Sequence, residues 1–281
     1  MAIEEFARRI QTENKARRYL RQACWNNGQK FCLHCRSRHV YPIVGRRYRC
    51  VRCGYRFADW TGRFLGGLRI SAMKWVWVIK LFELEVSARR IAREVGVSYP
   101  TALRACHRLR QAIVAQTAPD LLRGEVEADE SYFGGRRKGK RGRGAAGKAP
   151  VFGILERNGT VRVEVVPNVS APTLLNWTLK KVRRGSIVYT DRWRGYDSLM
   201  FCGYRHLRVD HKRYFRQGKV YINGLEGFWS YAKERLAKFH GVSKEKFPLY
   251  LKEMEFRYNH RHQPLLPLLV QVAAKLVPNH L

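Results

Sequence analysis

Four of the seven cysteines stand as two Cys-x2-Cys pairs, Cys32/Cys35 and Cys50/Cys53, separated by fourteen residues. Each pair lets two thiolates reach one ion, and two such knuckles complete a tetrahedron, which is the zinc-ribbon pattern. The chain between them must therefore fold back on itself, with strands expected over 39–43 and 47–49. Gly54 suits the tight turn under the second knuckle. His34 and His39 are bystanders once four thiolates are in place, and a closed zinc site of four thiolates is structural, not catalytic. An odd cysteine count with this spacing argues for an intracellular metal site and against a disulfide framework.

Charge narrows the partner. Over 281 residues, 55 Lys and Arg face 22 Asp and Glu, a net charge of +33. Self-repulsion of that size is tolerated when a polyanion neutralises it, so nucleic acid is the expected partner. With 45% hydrophobic residues the chain can bury cores, and its length suggests about two domains. No apolar run approaches the ~20 residues of a membrane span. The opening Met-Ala-Ile-Glu-Glu-Phe has acids and no apolar core, so a cytoplasmic protein is expected.

Residues 1–28 read as a basic helical segment and 29–60 as the ribbon, whose arginines (Arg46 and Arg47 among them) make contact with DNA plausible. Residues 69–85 read as a helix capped by Ser71, its Trp pair in the core. Residues 68–118 have helix-turn-helix form: a short helix with Ile91, Ala92 and Val95 inward stops at Gly96. A second begins after Ser98, with Leu103 and Leu109 inward. Tyr99, Thr101, Arg104, His107 and Arg108 would then face a major groove.

After a linker at 119–124, strands are expected at 124–133, 151–156 and 160–167, the last two joined by an Asn158-Gly159 turn. Then follow helix 172–182, strand 186–190, helix 195–201, strand 204–209 and helix 223–238. That order describes a mixed α/β sheet. Two loops are strongly basic: 134–149, with Arg136, Arg137, Lys138, Lys140, Arg141 and Arg143, and 210–221. Against this background, Asp129 and Asp191 sit at strand positions. Burying a carboxylate costs several kcal/mol unless it is paired or metal-bound. Glu226 and Lys233 lie two helical turns apart on one face, with Asn223 one turn earlier.

Here the chain resembles the DDE transposases, and more closely the bacterial insertion-sequence transposases related to eukaryotic Merlin elements. The matching motifs are Asp129-Glu-Ser-Tyr-Phe-Gly-Gly, Tyr-Thr-Asp191-Arg-Trp-Arg-Gly-Tyr196, Asn223-Gly-Leu-Glu226-Gly-Phe-Trp-Ser-Tyr-Ala-Lys233 and Glu255-Phe-Arg-Tyr-Asn259. The resemblance implies a ribonuclease-H-like catalytic domain over 124–265, preceded by the zinc ribbon and helix-turn-helix-like region and followed by a terminal helix over 266–281. It implies two Mg²⁺ ions, replaceable by Mn²⁺, held by Asp129, Asp191 and Glu226, with Asn223 as the alternative third ligand. Lys233 would meet the DNA backbone, and Trp193 would wedge or stack against a base. The implied activity is binding of double-stranded DNA at the terminal inverted repeats, cleavage of the element ends and joining of their 3′-hydroxyls to target DNA. A homodimer or larger assembly in a bacterial nucleoid would bring two ends together. Two rivals remain: a nuclease or resolvase that uses the same acids without strand transfer, and a non-enzymatic zinc-ribbon regulator that leaves them idle.

Overall fold

The structure, a computed structural model, describes residues 3–25, 28–116, 120–134, 148–157, 159–191, 194–209 and 221–278. It divides into two compact units, 1–117 with 261–281, and 118–260.

The first unit begins with α1 (Ile3–Arg9) and α2 (Glu13–Cys24). Next comes an antiparallel sheet of β1 (Val40–Ile43), β2 (Arg47–Cys50) and β3 (Arg56–Ala58). The third strand was not expected from sequence; three residues are too few to show an alternation. Its Phe57 is buried against Tyr48 and Trp25. Behind the sheet, buried Asp59 accepts from Trp25 Nε1 at 2.8 Å and pairs with Arg17 at 2.9 Å.

Helices α3 (Ala72–Glu83), α4 (Ala88–Val95) and α5 (Tyr99–Val114) follow. Ser71, Ser87 and Ser98 each cap one by accepting the backbone N–H three residues on. Gly96, at φ 65°, ends α4 in a left-handed turn. Trp75 is in the core as expected, and Trp77 packs edge-on against Phe6. The inward face of α5 is Ala102, Ala105, Cys106, Leu109 and Arg110. Leu103 and Val95, expected inward, are only half-buried, because each flanks its helix's buried stripe. The terminal helix α9 (Leu265–Ala273) belongs to this unit and packs on α3 and α5, its first turn capped by Glu83, which accepts from Leu266 N at 3.0 Å.

The second unit holds a five-stranded sheet in the order β6 (Val161–Val165), β5 (Ala149–Glu156), β4 (Glu125–Phe133), β7 (Ile187–Asp191), β8 (Arg205–Val209). β4, β5 and β6 run antiparallel as a meander, and β7 and β8 extend it parallel to β4. This is the mixed, ribonuclease-H-like sheet. Alternation along β4 sends Val126 and Ala128 to one face, where they meet Phe152, Ile154 and Leu174 of α6 (Ala171–Lys181). Phe133 points to the other face, with Val151, Leu155 and the helices α7 (Asn223–Leu236) and α8 (Phe247–Asn259). The expected helix at 195–201 is a 3-10 helix, Arg194–Cys202. Its Tyr196 and Leu199 are buried on the α6 face.

The free edge of β6 is closed by side chains. Glu255 accepts from Val163 N at 2.8 Å, while Asn259 both accepts from Val161 N at 2.8 Å and donates to Val161 O at 3.0 Å. Four residues apart on α8, they cover a strand edge that would otherwise be open to pairing. The Glu255-Phe-Arg-Tyr-Asn259 motif thus has a structural explanation within this chain.

Candidate active site

The sheet brings two of the three acids together. The β4–β7 register pairs Glu125 with Ile187, Val126 with Val188 and Glu127 with Tyr189. Two positions further along each parallel strand stand Asp129 and Asp191, on the face toward α7. Asp129 Oδ2 accepts from Trp229 Nε1 of α7 at 3.0 Å. Burial, then the charges of Glu130 and Asp191, push the Asp129 carboxyl up to about 7, against the pull of the Trp229 hydrogen bond. A carboxyl so disfavoured as an anion has an electrostatic need for a cation, and an all-oxygen donor set suits a hard divalent ion.

Glu226 is half-buried on the first turn of α7, one turn before Trp229; Asn223 and Lys233 are exposed on the same helix. The Lys233 ammonium lies 5.8 Å over the ring of Phe133, at the end of β4 beyond Asp129. Among the described residues, the four thiolates are the group gathered tightly enough to hold one ion as they stand. Glu226 shares the α7 side with the two aspartates without closing such a cluster.

Two residues that sequence reasoning passed over fix α7. Ile222 gives its helix no side-chain cap. Glu127 of β4, only 1% exposed, does so from across the sheet, accepting from Leu225 N at 2.9 Å. Arg157 balances this carboxylate at 3.3 Å and Glu125 at 2.6 Å. Its guanidinium lies 3.7 Å from the Tyr189 ring centroid and 3.9 Å from that of Tyr221. Burial nonetheless raises the Glu127 carboxyl above its ordinary value, the Leu225 and Arg157 contacts only partly offsetting it. The second residue is Gly153, paired with Asp129 across β4–β5. A Cβ there would lie 2.6 Å from Trp229 Cζ2, so only glycine lets the indole lie over the sheet and reach Asp129. The Glu125-Val-Glu-Ala-Asp129 alternation already placed Glu127 on the Asp129 face. Nothing local tied it to residue 225.

The metal centre of the ribbon is better defined. The Sγ atoms of Cys32, Cys35, Cys50 and Cys53 all lie within 4.8 Å of one another, close enough to share one tetrahedral Zn²⁺ with bonds of about 2.3 Å. The two knuckles match: Arg36 N bonds Cys32 O and Gly54 N bonds Cys50 O, both at 3.0 Å. Arg36 (φ 60°) takes the left-handed conformation that Gly54 (φ 70°) takes without strain.

Of the residues expected to meet DNA, Tyr99 and Arg104 are exposed and Thr101 half-buried on α5. His107 and Arg108 are half-buried; the Arg108 guanidinium turns back to the Phe64 carbonyl at 3.4 Å, alongside Gly67. Arg136, Arg137, Lys138, Lys140, Arg141, Arg143 and Trp193 lie outside the described residues. No helix among those described is long and apolar enough to cross a membrane.

Comparison with known proteins agrees with this architecture. The model of the ISXO2-like transposase domain matches residues 121–259, and that of the transposase zinc-ribbon domain matches 11–56, taking in α2. An uncharacterized transposase-like protein of Haemophilus influenzae is 50% identical over 95 residues, 34% of this chain and 77% of that protein. An uncharacterized protein in transposable element ISH50 of Halobacterium salinarum is 31% identical over 272 residues, 88% of this chain and 90% of the relative. A pre-cleavage Mos1 transpososome structure aligns with 72% of this chain and 79% of its own at 12% identity, but at a TM-score of 0.26 it carries no weight here. With one family model on the sheet domain, another on the ribbon and a relative aligned over most of its length, the chain belongs to the ISXO2-like transposases of insertion elements.

Proposed function

We propose that this transposase cleaves the ends of its element and joins their 3′-hydroxyls to target DNA by two-metal phosphoryl transfer. The observation that carries the reading is the placement of Asp129 and Asp191 at aligned positions on neighbouring parallel strands, beneath the helix that bears Asn223, Glu226 and Lys233. Asp129, Asp191 and Glu226 would hold the two Mg²⁺ ions, with Asn223 as the alternative to Glu226; Mn²⁺ would substitute. When bound, such ions supply stabilisation to the attacking and leaving oxygens of an in-line displacement. Trp229 and the sheet fix the Asp129 carboxylate. Glu127 fixes the first turn of α7 and so the height of Asn223 and Glu226 above the strands. Glu226, on the first turn of α7, would complete the acidic set, and Lys233 would take a backbone phosphate beside the scissile bond.

The remaining assignments follow from charge and exposure. Tyr99, Thr101 and Arg104 on α5 contact the terminal inverted repeats, with Arg108 holding the helix in place. The Arg136–Arg143 segment adds salt-dependent affinity. A homodimer or larger assembly holds two ends.

The test is a strand-transfer assay with Mg²⁺, element-end DNA and a plasmid target, wild type beside Asp191→Ala, with DNA binding measured in parallel. Joined product from the wild type alone, with binding retained by the variant, is the expected result. Cleavage without joining would make the protein a nuclease. Tight binding with neither reaction would reduce it to a DNA-binding regulator.

A further inference from the structure

A concentration of unneutralised positive charge lies far from the acids in sequence, where α2 meets the ribbon. Helix α2 carries Asn14, Arg17, Arg18 and Arg21 at helical spacing on one stripe, beside the buried stripe of Ala16, Leu20 and Cys24. Facing it is the β1–β2 turn with Arg46 and Arg47. Between them is a cleft of about 300 Å³ whose only acid is Asp59. Asp59 is already committed, at 2.9 Å to Arg17 and 2.8 Å to Trp25 Nε1. Among the described residues, Arg18, Arg21 and Arg47 have no carboxylate partner, and Arg46 reaches only the Asn14 amide oxygen at 3.5 Å. Five guanidiniums thus line one cleft against one spent carboxylate.

A second observation points the same way. Arg46 holds φ 58° in the hairpin turn, the left-handed region that glycine or asparagine takes at little cost. An arginine kept there sacrifices about 1 kcal/mol, and its side chain lines the cleft. Guanidinium forks match phosphate oxygens bidentately. The α2 stripe spans roughly 10 Å along the helix axis, the reach of about two or three consecutive phosphates on one strand. The one aromatic in the cleft, Tyr48, is buried, so there is no open platform on which a base could stack.

We propose that this cleft between α2 and the β1–β2 turn binds the backbone phosphates of duplex DNA. It sets the ribbon's register on the duplex and leaves sequence reading to other surfaces. The choice of DNA over other phosphates rests on the transposase reading above. The zinc ion acts at one remove, by holding the hairpin that carries Arg46 and Arg47.

The experiment uses the full-length, zinc-loaded chain and measures binding to an element-end duplex and an unrelated duplex between 50 and 200 mM salt. The Arg18→Gln/Arg21→Gln/Arg47→Gln variant should lose affinity equally for both, its log–log salt slope shallower by about 0.9 per arginine, or about 2.7. Arg46→Gly guards against misfolding: glycine relaxes the turn, so its thermal midpoint should hold or rise while the slope falls by about 0.9. Unchanged slopes with zinc content intact, or a loss confined to the end duplex, would overturn the proposal. So would protection of these arginines from phenylglyoxal by inorganic phosphate as complete as that given by duplex DNA, which would make the cleft a small-anion site. Metal-dependent cleavage separates the two readings: wild type that binds with full slope yet never cleaves sinks the transposase chemistry alone. Normal cleavage with an unchanged slope in the triple variant sinks the cleft alone.

Discussion

Replacing Asp129 with asparagine should make the Mg-free protein more stable while abolishing strand transfer. The wild-type carboxyl is raised from its ordinary 3.8 to about 7 by burial and by the charges of Glu130 and Asp191. An acid whose folded-state value lies above its unfolded one contributes stability that is complete below about 3.8. That stability is lost as pH rises through about 7, because the folded state binds the proton more tightly. Roughly three pH units at about 1.4 kcal/mol each set a ceiling of about 4 kcal/mol; water reaching a partly buried group lowers this to about 2–4 kcal/mol. Asparagine is uncharged at every pH and keeps an oxygen for Trp229 Nε1. In Mg-free, zinc-replete buffer, urea denaturation followed by tryptophan fluorescence should show Asp129→Asn ahead by about 1 kcal/mol or less at pH 4.5 and by about 2–4 kcal/mol at pH 8. Groups common to both proteins cancel in the difference. Mg²⁺ at pH 8 should then raise the wild type alone and close the gap. A gain equal at both pH values, or a loss at pH 8, would refute the reasoning.

The cap on α7 predicts that Glu127→Ala costs about 3–5 kcal/mol in denaturant unfolding, since it strips the Leu225 N–H of its acceptor and removes one of the two carboxylates that balance Arg157; Glu127→Gln, which keeps an acceptor, should cost less than half as much. Gly153→Ala should cost about 1–3 kcal/mol by overpacking against Trp229, and should lower strand transfer more than DNA binding, because it displaces the donor to Asp129. In the ribbon, atomic absorption should find one zinc per chain. Cys50→Ser or prolonged chelation should remove the ion and lower DNA affinity, while leaving the unfolding transition of the sheet unit in place.

Much of this protein was legible in one dimension because its signals are local. The double Cys-x2-Cys spacing fixed the metal centre, Ser71 and Ser98 marked two helix starts, and strand-like apolar runs placed Asp129 and Asp191 on or at the end of strands within a residue of their observed bounds. The 3-10 helix at Arg194–Cys202 reads as α-helix in the sequence because nine residues with one buried side do not separate the two periods. What only the tertiary structure decided lies in contacts between residues far apart in the chain. Glu127 meets Leu225 across 98 residues, Trp229 meets Asp129 across 100, and Glu255 covers Val163 across 92. Each partner, read alone, is an ordinary strand acid, a buried aromatic or a helix carboxylate. A glycine at 153 looks like any strand glycine until an indole is laid over it. Likewise, the sequence reads a terminal helix after the catalytic domain, and only the contacts of α9 with α3 and α5 assign it to the first unit. Periodicity and spacing record which face of an element is buried. Which distant group meets that face is set by loop closure and sheet order, and these leave no repeating mark on the sequence.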